Sequence, residues 1–368
     1  MKLETVLGQP SYAVASTGVQ TWITARGAHL SPVRFRVGDR WVEPLHVAPW
    51  AEEPDSSLAP ILQVLRGDFL CVPFGANEAT FQGEKHPIHG ESANESWSLA
   101  ESEPGRIRLE LESSIRPGRF SREITVRDGE AAVVQTHEIA IDGPMNFGMH
   151  AMVSFHSPGR ISTSRVRFAQ VFPGEFEDAT HGGYSSLVPG ARFDSLGAVP
   201  SRIHGTADLT RYPAREGYED LVLVAHRDSD DFAWVAVAFP DEGYVWVSLK
   251  DPRQLPSTVF WHSNGGRHYK PWLGRHRGVL GIEEVCAYFH YGIAESVASN
   301  PVQEAGIPTF ATIRADDPIR FSTVMVVAAI PAGFESVLSV DRTEHGVILR
   351  SEDGAEVSLP VTFPKEWR

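Results

Sequence analysis

Three polar segments of the chain carry residue types that could do chemistry. The first, 73-PFGANEATFQGEKHPIHGESANESWSL-99, holds His89-Gly90 and, six residues on, Trp97. A glycine beside a histidine lets backbone or ligand approach closely. A tryptophan offers an apolar wall with one N–H donor. His86 and His89 stand three apart with no carboxylate companion obvious in the sequence, so no metal site is read there. The second, 147-FGMHAMVSFH-156, places His150 in an otherwise apolar run. Burial would lower its pKa, yet a nearby carboxylate would let it give a proton near neutrality; the plainer reading is a hydrogen-bonded core histidine. The third, 259–290, gathers Trp261, His262, Arg267, His268, Trp272, Arg275 and His276 ahead of 280-LGIEE-284. A carboxylate among apolar residues is costly unless paired. Burial raises its pKa, which suits a general base; the plainer reading is an ion pair with a neighbouring arginine. Strand alternation sends Glu283 and Glu284 to opposite faces, so one of them can point into a cleft. Aromatic faces beside Arg and His suit a sugar, whose C–H side needs an apolar cover and whose hydroxyls need polar partners.

The elements that must position these residues are strands. In 105-GRIRLELESSI-115, Ile107, Leu109 and Leu111 alternate with Arg106, Arg108, Glu110 and Glu112, the pattern of a half-buried strand. The same period recurs at 20–26, 32–37, 121–127, 131–141, 220–227, 232–239, 244–250, 320–330, 346–351 and 356–363. Turn signals such as RDGE (127–130), PDEG (240–243) and SEDG (351–354) separate these runs. FAWVAVAF (232–239) is apolar on both faces and predicts a central strand covered on both sides. Helical patterns are short and confined to 57–68 and 294–306. With no linker and no fixed-period repeat, residues 1–368 read as one domain, an all-β chain built as a large antiparallel β-sandwich.

Composition narrows the function classes. Forty-seven acidic residues against 33 basic ones give a formal charge of −14. That argues against a nucleic acid or an anionic membrane surface as partner, since both need a basic patch. The two cysteines, Cys71 and Cys286, sit in apolar runs and read as buried thiols. No secretory h-region and no apolar stretch of spanning length stands out, so a cytoplasmic protein with no membrane partner is expected.

Taken in order, the segments resemble the aldose 1-epimerase, or galactose mutarotase-like, superfamily. ITARGAHLSPVRFRVGDRWVEPL (23–45) resembles its opening hairpin. HGESANESW (89–97) matches its His-Gly, six residues, Trp. PMNFGMHAMVSF (144–155) resembles the strand carrying a second histidine, LGIEEV (280–285) the late strand carrying the base, and IPTFATIRADDPIRFSTVMVV (307–327) the closing strand pair. The resemblance runs from about residue 10 to 340. It implies a β-supersandwich with a shallow sugar cleft and a small-molecule sugar as partner. It implies Glu283 as general base at the anomeric O1, His150 as general acid at the ring oxygen, and His89 holding the ring-oxygen side. No metal, nucleotide or redox cofactor is implied.

The chain departs from the family pattern. Gly75-Ala76-Asn77 stands where members carry an Asn-Arg pair, which leaves Asn77 as a sugar contact without its arginine. Ala93 and Asn94 stand where members acting on sugar phosphates carry arginine, which argues against a phosphorylated substrate. Trp97, Arg267, His268 and Trp272 complete the expected sugar contacts. Two other functions remain open: sugar binding without turnover, and a lyase or hydrolase on the same fold.

Overall fold

The computed structural model describes residues 2–228 and 231–367. Its frame is two antiparallel sheets packed face to face. The nine-stranded sheet runs in the order Arg211–Tyr212, Gly159–Thr163, Ala233–Phe239, Tyr244–Lys250, Ile319–Ala329, Ala132–Ile141, Gly118–Val126, Arg106–Ser113, Ser98–Glu103. The other sheet runs Val166–Val171, Tyr218–His226, Ser257–Asn264, Val279–Cys286, Phe147–Met149, Leu70–Cys71, with Ala151–Ser154 also paired to Val279–Cys286. A five-stranded sheet over residues 4–42 continues the sandwich at the N-terminal end. Its Val19–Thr24 and Leu30–Val37 strands form the expected hairpin, turned through Gly27 and Ala28 at positive φ.

The period-two patterns translate directly into burial. Ile107, Leu109 and Leu111 face the core, while Arg108 and Glu110 stay partly exposed. Each fully buried aliphatic side chain contributes about 1.5–3 kcal/mol relative to exposure. Ala233–Phe239 is buried at every position because both of its faces are covered. Val235, Val237 and Phe239 meet the core between the sheets. Trp234, Ala236 and Ala238 meet a C-terminal three-stranded sheet, Ser339–Thr343, Gly346–Arg350 and Glu356–Pro360, through Val340, Val347, Leu349 and Leu359.

The helices are shorter than the pattern predicts. The first covers Pro60–Val64 and ends where Leu65 leaves the helical region (ψ 109°). The second is two pieces, Ile293–Val297 and Pro301–Glu304. Pro301 has no N–H to continue the first piece, and the Asn300 side chain accepts from Val302 and Gln303 N–H to start the second. Among the described residues, no helix is long and apolar enough to cross a membrane. Cys71 and Cys286 are buried free thiols on opposite faces of their sheet.

One face of the seven-stranded sheet belongs to the sandwich core, through Leu280, Ile282, Phe260, Val222 and Val224. Its other face carries Val259, Trp261, Leu221, Val279 and Val285. The first short helix and the loops after the sheet's strands roof part of that second face. The candidate site lies there.

Candidate active site

Glu283 reaches the site because of register. Phe147 and Gly148 pair with Cys286 and Val285, and Ala151–Ser154 pair with Ile282–Val279. The same register sets His150 directly opposite Glu283, and cross-strand neighbours share a face. His150 Nε2 lies 3.3 Å from Glu283 Oε1, and both side chains are almost wholly buried. Phe69 stacks on the His150 ring at 4.7 Å and 15°, and His29 stacks behind Phe69 at 4.0 Å, so the imidazole plane is fixed. Glu284, on the opposite face, accepts from Lys250 Nζ at 2.5 Å and Thr258 Oγ1 at 2.6 Å inside the sandwich core.

His89 completes the floor. Its ring stands perpendicular to His150 at 5.0 Å and lies 4.9 Å from the ring of His290. The His-Gly pair makes this placement possible. Both residues take positive φ, and a Cβ on Gly90 would lie 1.8 Å from the Val72 carbonyl oxygen, so only glycine fits. Gly75 N–H donates to His89 Nδ1 at 3.4 Å.

A third group stands over the sheet. Arg267 Nε donates to Glu177, and Tyr269 donates its hydroxyl proton to the same carboxylate at 3.1 Å. The guanidinium lies over the rings of Trp272 (4.6 Å), Trp261 (5.0 Å) and Phe176 (5.4 Å), an arrangement that stabilises a desolvated cation. Beneath it, Glu219 accepts from Trp261 Nε1 at 2.9 Å and Gly266 N–H at 3.0 Å.

Burial sets the electrostatics. It pushes the Glu283 carboxyl well above the usual carboxylate range, and the Arg267 charge offsets only part of that rise. It lowers His150 to about 3, helped by His290 and Arg267. His290 also falls to about 3, through desolvation and then Arg267. His89 lies well below the imidazole range for the same first reason. Burial raises Glu219 to about 7 against the pull of Arg267. Burial works against the Arg267 charge, but Glu177 and Glu219 outweigh it and raise its pKa. Burial therefore favours neutral Glu283 and neutral His150, a pair holding one proton. Glu283 Oε2 and His150 Nδ1 are buried without hydrogen-bond partners.

These groups line one cleft of about 590 Å³, within the range of small-ligand sites. Of the residues expected from sequence, it brings together His89, His150, Glu283, Arg267 and Trp272. It does not bring in Asn77, Trp97 or His268. Asn77 is consumed by the loop, its Nδ2 donating to the carbonyls of Pro73, Gly75 and Pro87 and its Oδ1 accepting from Ile293 N–H. Trp97 packs in the sandwich core and donates to the Ser92 carbonyl at 2.9 Å. His268 points outward against Tyr184. His86 has a carboxylate companion after all, Glu84 at 2.9 Å, itself held by Arg116. The sequence reading passed over His290, Glu177, Tyr269 and Phe69 as site residues. His290 ends the segment that carries Glu283, the one signal that could have found it. Among the described residues, no cluster of three or more His, Cys, Asp or Glu side chains is arranged to hold a metal ion.

No protein-family model matches the sequence, and no curated protein matches it. Solved structures do match in shape. A candidate aldose 1-epimerase of Escherichia coli K12 superposes with a TM-score of 0.59 at 13% identity, over 87% of this chain and 99% of that one. The chain has the galactose mutarotase-like fold. An aldose epimerase homologue of C. elegans (TM-score 0.56, 13% identity, 88% and 100% covered) is similar to it. So is a galactose mutarotase-like protein of Lactobacillus casei (0.55, 12%, 86% and 99%). In this mutarotase-like chain, Glu283, His150 and His89 sit on one face of the seven-stranded sheet, and Arg267 stands over them.

Proposed function

We propose that the protein interconverts the anomers of a free reducing sugar, with Glu283 and His150 moving the two protons. One observation supports this above the others: Glu283 Oε1 and His150 Nε2 stand 3.3 Å apart on the floor of a cleft large enough for a pyranose. In the ionised form of the pair, Glu283 takes the anomeric hydroxyl proton and His150 gives its proton to the ring oxygen. The C1–O5 bond breaks, C1–O1 becomes a carbonyl, and the pair is left neutral. After rotation about C1–C2, the C5 hydroxyl oxygen attacks the other face of C1. Its proton returns to His150, and Glu283 returns its own to O1. The pair ends as it began, and the chemistry as written uses no metal, nucleotide or redox group. Each proton transfer of this kind contributes on the order of 10²–10⁴-fold.

The sugar helps to set the proton. Hydroxyls donating to the unpartnered Glu283 Oε2 favour the carboxylate, which moves the pair toward its ionised form. His89 and His290 are placed to hold hydroxyls around the ring, and Arg267 to stabilise negative charge developing on oxygen. A hydrolase needs two working carboxylates across the cleft; Glu177 is tied to Arg267 and Tyr269. Binding without turnover is favoured by one observation, the preference of the buried Glu283–His150 pair for uncharged groups. Polarimetry separates the two. Freshly dissolved pure anomers should relax faster with protein than in buffer for at least one sugar of a panel of hexoses, pentoses and reducing disaccharides. Relaxation at the buffer rate for all of them would leave binding alone.

A further inference from the structure

The cleft is larger than one sugar ring requires. A pyranose has about a dozen non-hydrogen atoms, each smaller than a water molecule's share of liquid, and fills on the order of 200 Å³. The cleft holds about 590 Å³. Its floor is also long in one direction. Glu283 lies on Val279–Cys286, Trp261 on the next strand and Leu221 on the one after, with Trp261 paired to Gly281 on one side and to Leu221 on the other. Phe172 N–H donates to the Leu221 carbonyl, which places Phe172 one strand further. Three inter-strand steps separate Glu283 from Phe172, about 14 Å at the usual spacing.

The far end has its own saccharide chemistry. Phe172 and Tyr291 lie ring against ring at 4.7 Å and 32°, both lining the cleft. Glu295 lines the same end, and its Oε2 is buried without a hydrogen-bond partner. Tyr291 is stacked between Phe172 and Tyr288, so the rings present apolar edges to the cleft. An apolar edge beside an unpartnered carboxylate oxygen offers what a sugar ring needs: cover for its C–H side and an acceptor for a hydroxyl. Phe172, three strands from Glu283, is too far to serve the ring that the Glu283–His150 pair would open, and Tyr291 and Glu295 meet it there.

We propose that the cleft takes a saccharide of at least two linked rings, with the reducing-end ring at Glu283 and His150 and the second ring against the edges of Phe172 and Tyr291 beside Glu295. The assignment of the reducing end rests on the anomer-interconverting reading; the two-ring length rests on the floor and its far end.

Methyl glycosides test the length without chemistry, because they cannot ring-open. Calorimetric titration with methyl glucoside, methyl maltoside, methyl cellobioside and methyl lactoside should find at least one disaccharide glycoside bound about tenfold or more tighter than methyl glucoside. Tyr291→Ala should bring that ratio to about one. Tyr291→Phe, which keeps the ring, should preserve it. Disaccharide glycosides that all bind no tighter than methyl glucoside would overturn the proposal, as would a ratio that Tyr291→Ala leaves intact. Tighter disaccharide binding without accelerated anomer exchange would keep the two-ring cleft and remove the isomerase reading.

Discussion

Glu283 and Glu284 are adjacent in sequence and face opposite sides of one sheet. Glu283 Oε1 meets His150 Nε2 at 3.3 Å in the cleft, and Glu284 Oε2 meets Lys250 Nζ at 2.5 Å in the core between the sheets. The same substitution at the two positions should therefore do opposite things. Glu284→Gln leaves the wholly buried Lys250 ammonium without its counter-charge, and breaking a buried pair costs about 3–5 kcal/mol. Chemical denaturation should show that loss. Glu283→Gln removes a carboxyl that burial disfavours, so its denaturation midpoint should match or exceed wild type while anomer exchange is lost. Equal destabilisation by both substitutions would contradict the assignment of the faces.

Acid should unfold the protein at mild pH. The fold lowers the pKa of nine histidines, His29, His46, His89, His137, His150, His226, His262, His276 and His290, with burial the first cause in each. Once unfolded, each binds a proton below about pH 6.5. Stability carried by a neutral buried imidazole is therefore lost as pH falls below that value. Three carboxyls that burial raises, Asp68, Glu219 and Glu283, act in the other direction, because the folded state keeps their protons above the unfolded carboxylate range. The nine imidazoles outnumber the three carboxyls, so unfolding takes up protons on balance as pH falls below about 6.5, and each net proton steepens the loss of stability by about 1.4 kcal/mol per pH unit. Thermal melts from pH 7.5 to 5 should fall steeply below pH 6.5; a flat profile would contradict neutral buried histidines.

The pH dependence of turnover should have its resolvable limb on the alkaline side. The proposed reaction needs one proton on the Glu283–His150 pair, and that proton is lost as pH rises through the elevated Glu283 value. The Arg267 charge holds that value down. Arg267→Met should therefore move the alkaline limb to higher pH, beyond any loss of rate from weaker sugar contact. A pH–rate profile of anomer exchange for the two proteins reads the shift. A limb that stays in place would put Arg267 outside the field of the pair.

Gly90 should not tolerate a side chain. Its positive φ and the 1.8 Å approach of a Cβ to the Val72 carbonyl oxygen combine strain with a backbone clash. The left-handed conformation alone costs about 1–2 kcal/mol for a residue with a Cβ, so Gly90→Ala should lower the denaturation midpoint and weaken sugar binding through His89. An unchanged midpoint would show that the His89 loop is not held as described.

The sandwich was readable because alternation is a direct image of burial: Ile107, Leu109 and Leu111 needed no tertiary information. The meeting of His150 and Glu283 was readable because both lie on or beside regular strands, where register decides which side chains meet. Asn77, Trp97 and His268 lie outside the cleft because their side-chain directions are decided by loop backbone. Asn77 and His89 share a left-handed conformation in one loop, yet Asn77 turns into its own loop's carbonyls and His89 into the cleft. Glu177 and Tyr269 were invisible for a related reason. They lie 92 positions apart, on irregular segments that meet only in three dimensions.

Magnetisation-exchange NMR between the anomers of a sugar that polarimetry shows to be accelerated tests the central claim most directly. Wild type should exchange faster than buffer, and Glu283→Gln and His150→Ala, both folded, should each return the rate to that of buffer. Either variant retaining the wild-type rate would contradict the two-proton account.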